Sequence, residues 1–324
     1  MYRTDAMAEP MRLRASSSED VLSFIPYLLG FRPENSLVTL LLRGGLLQLT
    51  ARIDLPPPGA DVELSRVARH FASVAQQHGA HEAVVATFTG NVTWSDTVVR
   101  RLEHALGRGG CEVVTALHCD DEQYRVRSAV GWTGPYDFDP RATAGAATAV
   151  AAGMSLLPDR AALAASIAPG GADAIGAVTA AAEEADMPED PADREALMAQ
   201  VVGRCLDLAG VISDADCAQL ALLAADLDVR DVAWLMVRRE TATAHRQLWQ
   251  AVACRVPKVL SAAPVCLAGM AAWVEGDGAL AWCCVHRART EHPGYGMADL
   301  LADLLAAAVP PRLWESMAQD LAAG

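Results

Sequence analysis

At 324 residues the chain is about twice the length of an ordinary domain, so two cores are the natural expectation. Its 52% apolar and 20% charged side chains place it among globular rather than disordered proteins. Residues 1–142 carry 14 basic and 17 acidic side chains and residues 143–324 carry 12 and 23, for a net charge of −14. Neither half offers the basic stripe that a phosphate backbone needs, which argues against nucleic-acid binding.

Taken in chain order, Ser16-Ser17-Ser18-Glu19-Asp20 supplies capping oxygens ahead of Val21, Leu22, Ile25, Leu28 and Leu29 at helical spacing, and Gly30 closes that helix. Pro33-Glu34-Asn35 turns the chain into an apolar strand over 37–42, and Gly44-Gly45 marks a tight hairpin. On the return strand Leu47, Leu49, Ala51, Ile53 and Leu55 alternate with Gln48, Thr50, Arg52 and Asp54. Pro56-Pro57-Pro58-Gly59 breaks this strand, and Val67, Phe71, Val74 and His78 then share one helical face. A strand over 83–89, a helix over 93–106, and strands over 112–118 and 123–130 follow. The order β-β-α-β-α-β-β implies a mixed five-stranded sheet with at least one parallel crossover, within an α/β domain over 1–135.

Pro135-Tyr136-Asp137-Phe138-Asp139-Pro140 reads as a connector, and the period becomes helical beyond it. A helical connector over 136–191 contains the acidic, proline-punctuated stretch 183–191, which reads as a solvated loop. A helical domain over 192–324 follows, a bundle or an irregular tetratricopeptide (TPR)-like solenoid. Its helices fall at about 192–209, 214–225, 229–239, 242–254, 258–274, 278–291, 296–307 and 311–322.

The eight cysteines lack the spacing of a disulfide framework and read as small buried hydrophobes in a reducing compartment. Met1 to Arg14 has no signal-peptide core and no run is long enough for a membrane span, so a cytoplasmic location is expected.

Residues 20–55 are similar to the opening of the actinobacterial DUF4192 family, a domain of unknown function. The likeness rests on Tyr27-Leu28-Leu29-Gly30-Phe31-Arg32-Pro33-Glu34-Asn35-Ser36-Leu37-Val38 and Arg52-Ile53-Asp54-Leu55-Pro56. Leu248-Trp249, Pro257, Ala263-Pro264, Gly276-Asp277-Gly278-Ala279, Pro293-Gly294-Tyr295 and Pro310-Pro311 resemble its closing part. The resemblance implies no activity. The same carboxy-terminal stretch resembles a single tetratricopeptide hairpin: counted back from Pro293, Gly269, Ala281 and Ala288 fall where two helices cross closely.

Two functional readings compete. In the first, the protein is non-enzymatic and binds another protein or itself through a groove lined by Met270, Trp273, Trp282 and Tyr295. In the second, it is an enzyme or small-molecule binder with a polar site at the junction of the halves, using Arg32, Glu34, Ser36, Arg52, Asp54 and Arg230. No cofactor is expected, because the Walker loop, the Rossmann glycine fingerprint and the nucleophile elbow are all missing. No metal is expected either: Cys283-Cys284-x-His286 lies in a helix where its members point apart, and His118-Cys119-Asp120-Asp121 has no second cluster to converge with.

Overall fold

The computed structural model describes residues 15, 17–120, 122–151, 154, 156–207 and 212–323, so Ser16 and Asp121 lie outside the described residues. The chain divides into two compact units, residues 1–160 and 161–324.

The first unit opens with α1 (Ser18–Leu29), which begins and ends where its sequence directs. The Ser17 side chain accepts from the Asp20 N–H, and Gly30 takes the left-handed conformation at φ 75°. Next come β1 (Ser36–Arg43), β2 (Leu46–Asp54), α2 (Asp61–Gln77), β3 (Glu82–Phe88), α3 (Val92–Arg108), β4 (Glu112–Asp120), β5 (Gln123–Ser128), β6 (Gly131–Asp137) and α4 (Ala144–Ala151). They build one mixed sheet in the order β2-β1-β3-β4-β5-β6. β3 and β4 are its parallel pair, with α3 as the crossover that a parallel connection needs, and the other neighbours are antiparallel.

Two expectations are corrected here. The sheet has six strands rather than five, because the stretch read as the start of a connector pairs with β5 as β6. Gly131, Gly134 and Pro135 leave that strand without apolar alternation, so periodicity does not reveal it. The alternation along β2 is also interrupted: Leu41 faces Leu49 while Leu42 faces Leu47. One extra β2 residue is inserted, so the face shared by Leu49, Ala51 and Ile53 does not extend to Leu47.

Helices cover both sheet faces. Thr87 of β3 and Arg127 of β5 reach α3 on one face, while Tyr124 of β5 meets Glu19 of α1 on the other and Thr143 bonds Ser23 behind it. β1 and β3 each lie between two other strands, and Leu37, Val38, Leu41, Ala83 and Val85 are almost wholly shielded from water. Each such large aliphatic side chain contributes about 1.5–3 kcal/mol.

The second unit is helical throughout its described residues: α5 (Arg160–Ala165, its first residue the last of the first unit), α6 (Ala172–Glu184), α7 (Pro191–Asp207), α8 (Asp214–Leu223), α9 (Leu227–Leu235), α10 (Ala242–Arg255), α11 (Ala262–Glu275), α12 (Gly278–Glu291), α13 (Gly296–Ala306) and α14 (Trp314–Ala323). Every residue of α11 from Ala263 to Val274 is buried, the signature of a helix enclosed on all sides, and α9, α10, α12 and α13 pack against it. Gly276 at φ 101° closes α11, and the Asp277 side chain caps α12 by accepting from the Leu280 N–H, so two residues reverse the chain. Trp314 pins α14: it stacks on Trp234, meets Trp273 edge-on and donates its indole N–H to the Val237 carbonyl at 2.8 Å.

Gly269 sits where α11, α12 and α13 crowd together; a Cβ there would lie 2.8 Å from both Cys284 Cβ and Leu301 Cδ2. Cys284 Cβ is bonded directly to its backbone and cannot swing away. Gly269→Ala is therefore expected to lower unfolding stability by about 1–3 kcal/mol in chemical denaturation, although alanine is the better helix former. An unchanged midpoint would refute the close crossing.

Candidate functional site

The ends of the parallel strands β3 and β4, the start of β1 and the end of β2 fall at one end of the sheet, beside the amino terminus of α3. This is where open α/β sheets bind ligands. The turn from α1 into β1 brings several of the sequence-selected residues together there. Arg52 Nε donates to Ser36 Oγ at 3.0 Å, its terminal nitrogen pairs with Asp54 at 2.7 Å, and its guanidinium lies 5.8 Å from the Phe31 ring centre. Ser36 Oγ in turn donates to the Glu34 carbonyl at 2.6 Å. Arg52 is thus held in one position, its side chain only 14% exposed. Glu34 contributes its backbone carbonyl while its side chain stands in solvent, and Arg32 is half-buried. Nearby, Asn91 caps α3, and Trp94 at the first turn donates to the Pro56 carbonyl at 2.7 Å.

Deeper in the same unit lies a cluster that sequence reasoning did not find. Ser95 Oγ on α3 sits 2.8 Å from His118 Nδ1 on β4, and Thr87 Oγ1 on β3 lies 2.9 Å from Ser95 Oγ and 3.2 Å from the Leu117 carbonyl. Serine beside imidazole is the opening arrangement of nucleophilic catalysis. Here both residues are inaccessible, Ser95 at 0% and His118 at 1% exposure, and burial holds the ring's pKa below its ordinary value. The three side chains fasten α3 to the sheet. Their positions are 8 and 23 residues from Ser95, and only the β3-α3-β4 crossover brings them into contact.

Arg230 belongs to the second unit. It donates to both Asp231 Oδ1, at 2.9 and 2.6 Å, and Tyr295 Oη, at 3.1 Å, tying α9 to the corner that precedes α13. Of the side chains expected to line a groove, Met270 and Trp273 are in the core at 1% and 3% exposure, and Trp273 donates to the Val309 carbonyl. Those two are structural, because α11 is buried around its whole circumference. Trp282 is 37% exposed on the outer face of α12, and Tyr295 is half-buried.

A second serine-histidine contact joins the ends of α11 and α12. Ser261 Oγ lies 2.9 Å from His292 Nε2, 3.0 Å from Glu291 Oε2 and 2.9 Å from the Lys258 carbonyl. Glu291 also accepts from Arg287, which donates in turn to the Ile167 carbonyl. The carboxylate meets the hydroxyl instead of the far ring nitrogen, so the order of a catalytic triad is not reproduced. Ser261 itself is fully buried.

The cysteines are equally enclosed. Seven are buried and Cys254 is half-buried; burial pushes the thiols of Cys217 and Cys266 up to about 12 and that of Cys284 well above its ordinary value. Among the described residues no group of three or more His, Cys, Asp or Glu side chains could hold a metal ion. The concavity over Gly59, Ala60, Asp61, Val62, Glu63 and Arg66, about 580 Å³, is an open depression at the first turn of α2 and does not include the Arg52 cluster.

These features define a protein with an α/β unit followed by a helical unit, its polar clusters built into both cores. The chain belongs to the DUF4192 family, a domain of unknown function, whose model matches residues 19–312. No curated protein and no solved structure matches it. No helix among the described residues is long and apolar enough to cross a membrane.

His245, 1% exposed on α10, gives a pH signature. Burial depresses its pKa from 6.5 to about 4, only partly opposed by a hydrogen bond to the Met236 backbone. The unfolded chain takes up a proton at higher pH than the folded one does. The stability that neutral His245 contributes is therefore whole above pH 6.5 and falls away as the pH drops toward 4, by on the order of 3 kcal/mol. Denaturation midpoints measured across that window should decline less steeply in His245→Gln, and equal slopes would contradict this account. A thiol reagent should label Cys254 slowly and the other seven cysteines only in denaturant; rapid native labelling of Cys266 or Cys284 would show that the helical core is open.

Proposed function

We propose that this protein is a non-enzymatic, cytoplasmic interaction module that binds another protein chain or a second copy of itself. One observation carries the reading: the side chains with catalytic character are spent inside the fold, while large apolar side chains stand in solvent. Ser95, His118, Ser261 and seven of the eight thiols are buried. Leu46 and Leu47 at the β1-β2 hairpin are 70% and 43% exposed, and Trp282 on α12 and Leu300 on α13 are 37% and 45% exposed. An exposed tryptophan is the kind of anchor that carries binding energy at protein interfaces, and exposed leucines add apolar area to bury. Trp282 heads an outward row on α12 with His286 and Arg289, and the TPR-like reading of the α11-α12 hairpin offers this face, rather than the buried Met270 and Trp273, to a partner.

A second reading draws support from Arg52, which Phe31, Ser36 and Asp54 hold in place at the sheet end beside the half-buried Arg32. A preset guanidinium can receive a carboxylate or phosphate of a small ligand.

Two measurements separate the readings. Tagged protein should retain a defined protein partner or its own untagged copy, and Trp282→Ala should weaken that retention at a temperature well below the variant's own melting transition, which the loss of the side chain's buried part lowers. A panel of nucleotides, metal ions and phosphorylated metabolites should leave the melting temperature unmoved. A rise of several degrees with one of them, lost in Arg52→Ala, would overturn the interaction reading in favour of ligand binding.

A further inference from the structure

The sheet has two edges of different design. β6 carries Pro135, which has no N–H to give, and a register shift against β5 between Tyr124 and Val126. Proline and irregular register are devices that keep an edge strand from pairing with another chain. β2 has its own irregularity at Gln48 but no proline between Leu46 and Asp54, and past Gln48 its Leu49, Ala51 and Ile53 remain half-exposed while the apolar residues of β3 beyond β1 are buried. Among the described residues no strand pairs with the outer side of β2.

The direction of its backbone groups follows from one bond. The Leu55 N–H donates to the Asn35 carbonyl at 2.8 Å, so residues 49, 51, 53 and 55 turn their hydrogen-bonding groups toward β1. Thr50, Arg52 and Asp54 turn theirs outward, because these groups alternate along an antiparallel strand.

We propose, building on the self-association reading above, that β2 of one copy pairs antiparallel with β2 of a second copy across a twofold axis, joining two sheets into one. Steric and electrostatic constraints leave one register. Setting Arg52 against Arg52 opposes like charges. Sliding one way brings Pro56 opposite Thr50, where an outward N–H is needed. Sliding farther the other way puts Gln48, the extra residue of β2, opposite Arg52 within the paired stretch. The remaining register sets Thr50 against Arg52, Leu49 against Ile53, and Ala51 against its own copy on the axis. Each Thr50-Arg52 pair exchanges two N–H···O bonds, the half-exposed Leu49, Ala51 and Ile53 cover one another, and each Arg52 keeps its Asp54. The contact is self-complementary, as a twofold interface must be.

This register makes a specific chemical demand. Two Ala51 residues facing each other as a non-hydrogen-bonded pair lie about 4.5 Å apart at Cα, within disulfide reach. Sedimentation equilibrium of the full chain should give twice the 34.2 kDa of one copy. Thr50→Pro removes an outward N–H and none that β1 receives, so it should sediment at the single-chain mass with its unfolding transition retained. Ala51→Cys, on oxidation, should run as a covalent dimer, and Thr50→Cys should not. If Thr50→Pro fails to fold, the cysteine pair decides the matter alone. A single-chain mass for the unaltered protein overturns the pairing, as does a dimer in which Ala51→Cys stays uncrosslinked. A dimer or partner complex that survives Thr50→Pro without the Ala51→Cys crosslink removes β2 and leaves the interaction reading standing; a single-chain protein that retains no partner removes both.

Discussion

Most polar side chains taken out of water find partners within the fold, and in this chain those pairings occupy the hydroxyls and imidazoles of its two serine-histidine clusters. Thr87, Ser95 and His118 satisfy one another beneath α3, and Ser261, Glu291, His292 and Arg287 do the same where α11 begins and α12 ends. Breaking either set would strand a buried donor or acceptor at about 1–3 kcal/mol, so the pairings fix helix positions as firmly as apolar contacts do. The same pairings remove the hydroxyls and imidazoles from substrate access. Arg52 lies between these cases: fixed by Ser36 and Asp54, yet at a rim where the sheet ends.

Local chemistry made much of the fold legible. Ser17 and Gly30 bracket α1, Gly44 and Gly45 at positive φ turn the β1-β2 hairpin, and Gly276 followed by Asp277 reverses the chain between α11 and α12. Each signal acts over three or four residues, which is the range a sequence pattern can express. The boundaries of α8, α10, α12 and α13 follow from apolar spacing for the same reason, whereas α9 ends four residues before, and α11 begins four residues after, the spacing implies. β6 escaped because its glycines and proline erase the twofold period, and the extra residue in β2 escaped because it is a property of the pairing with β1.

The candidate sites were legible only where their members were close in sequence. Arg52, Asp54 and Ser36 could be grouped because one tight hairpin brings them together. Ser95 with His118, or Arg287 with the Ile167 carbonyl 120 residues away, carry no local mark. Met270 and Trp273 misled for a related reason: a helix buried on every side has no polar face to set against an apolar one, so its period cannot say which residues meet solvent.

The family match covers 19–312 and so takes in most of both units. Within the first unit, the contrast between its own two edges is more telling than either edge alone. Both edges carry a register irregularity, at Gln48 in β2 and between Tyr124 and Val126 against β6, but only β6 carries a proline, and nothing interrupts β2 from Leu49 to Asp54. The regular, proline-free stretch past Gln48, with half-exposed Leu49, Ala51 and Ile53, leaves backbone groups and apolar surface available together. A second β2 satisfies both at once, because its outward N–H and C=O groups and its apolar row have the same spacing as those they meet. A small polar ligand could answer the hydrogen bonds and leave the aliphatic row in water; an unstructured apolar surface could cover the row and leave the hydrogen bonds unmet.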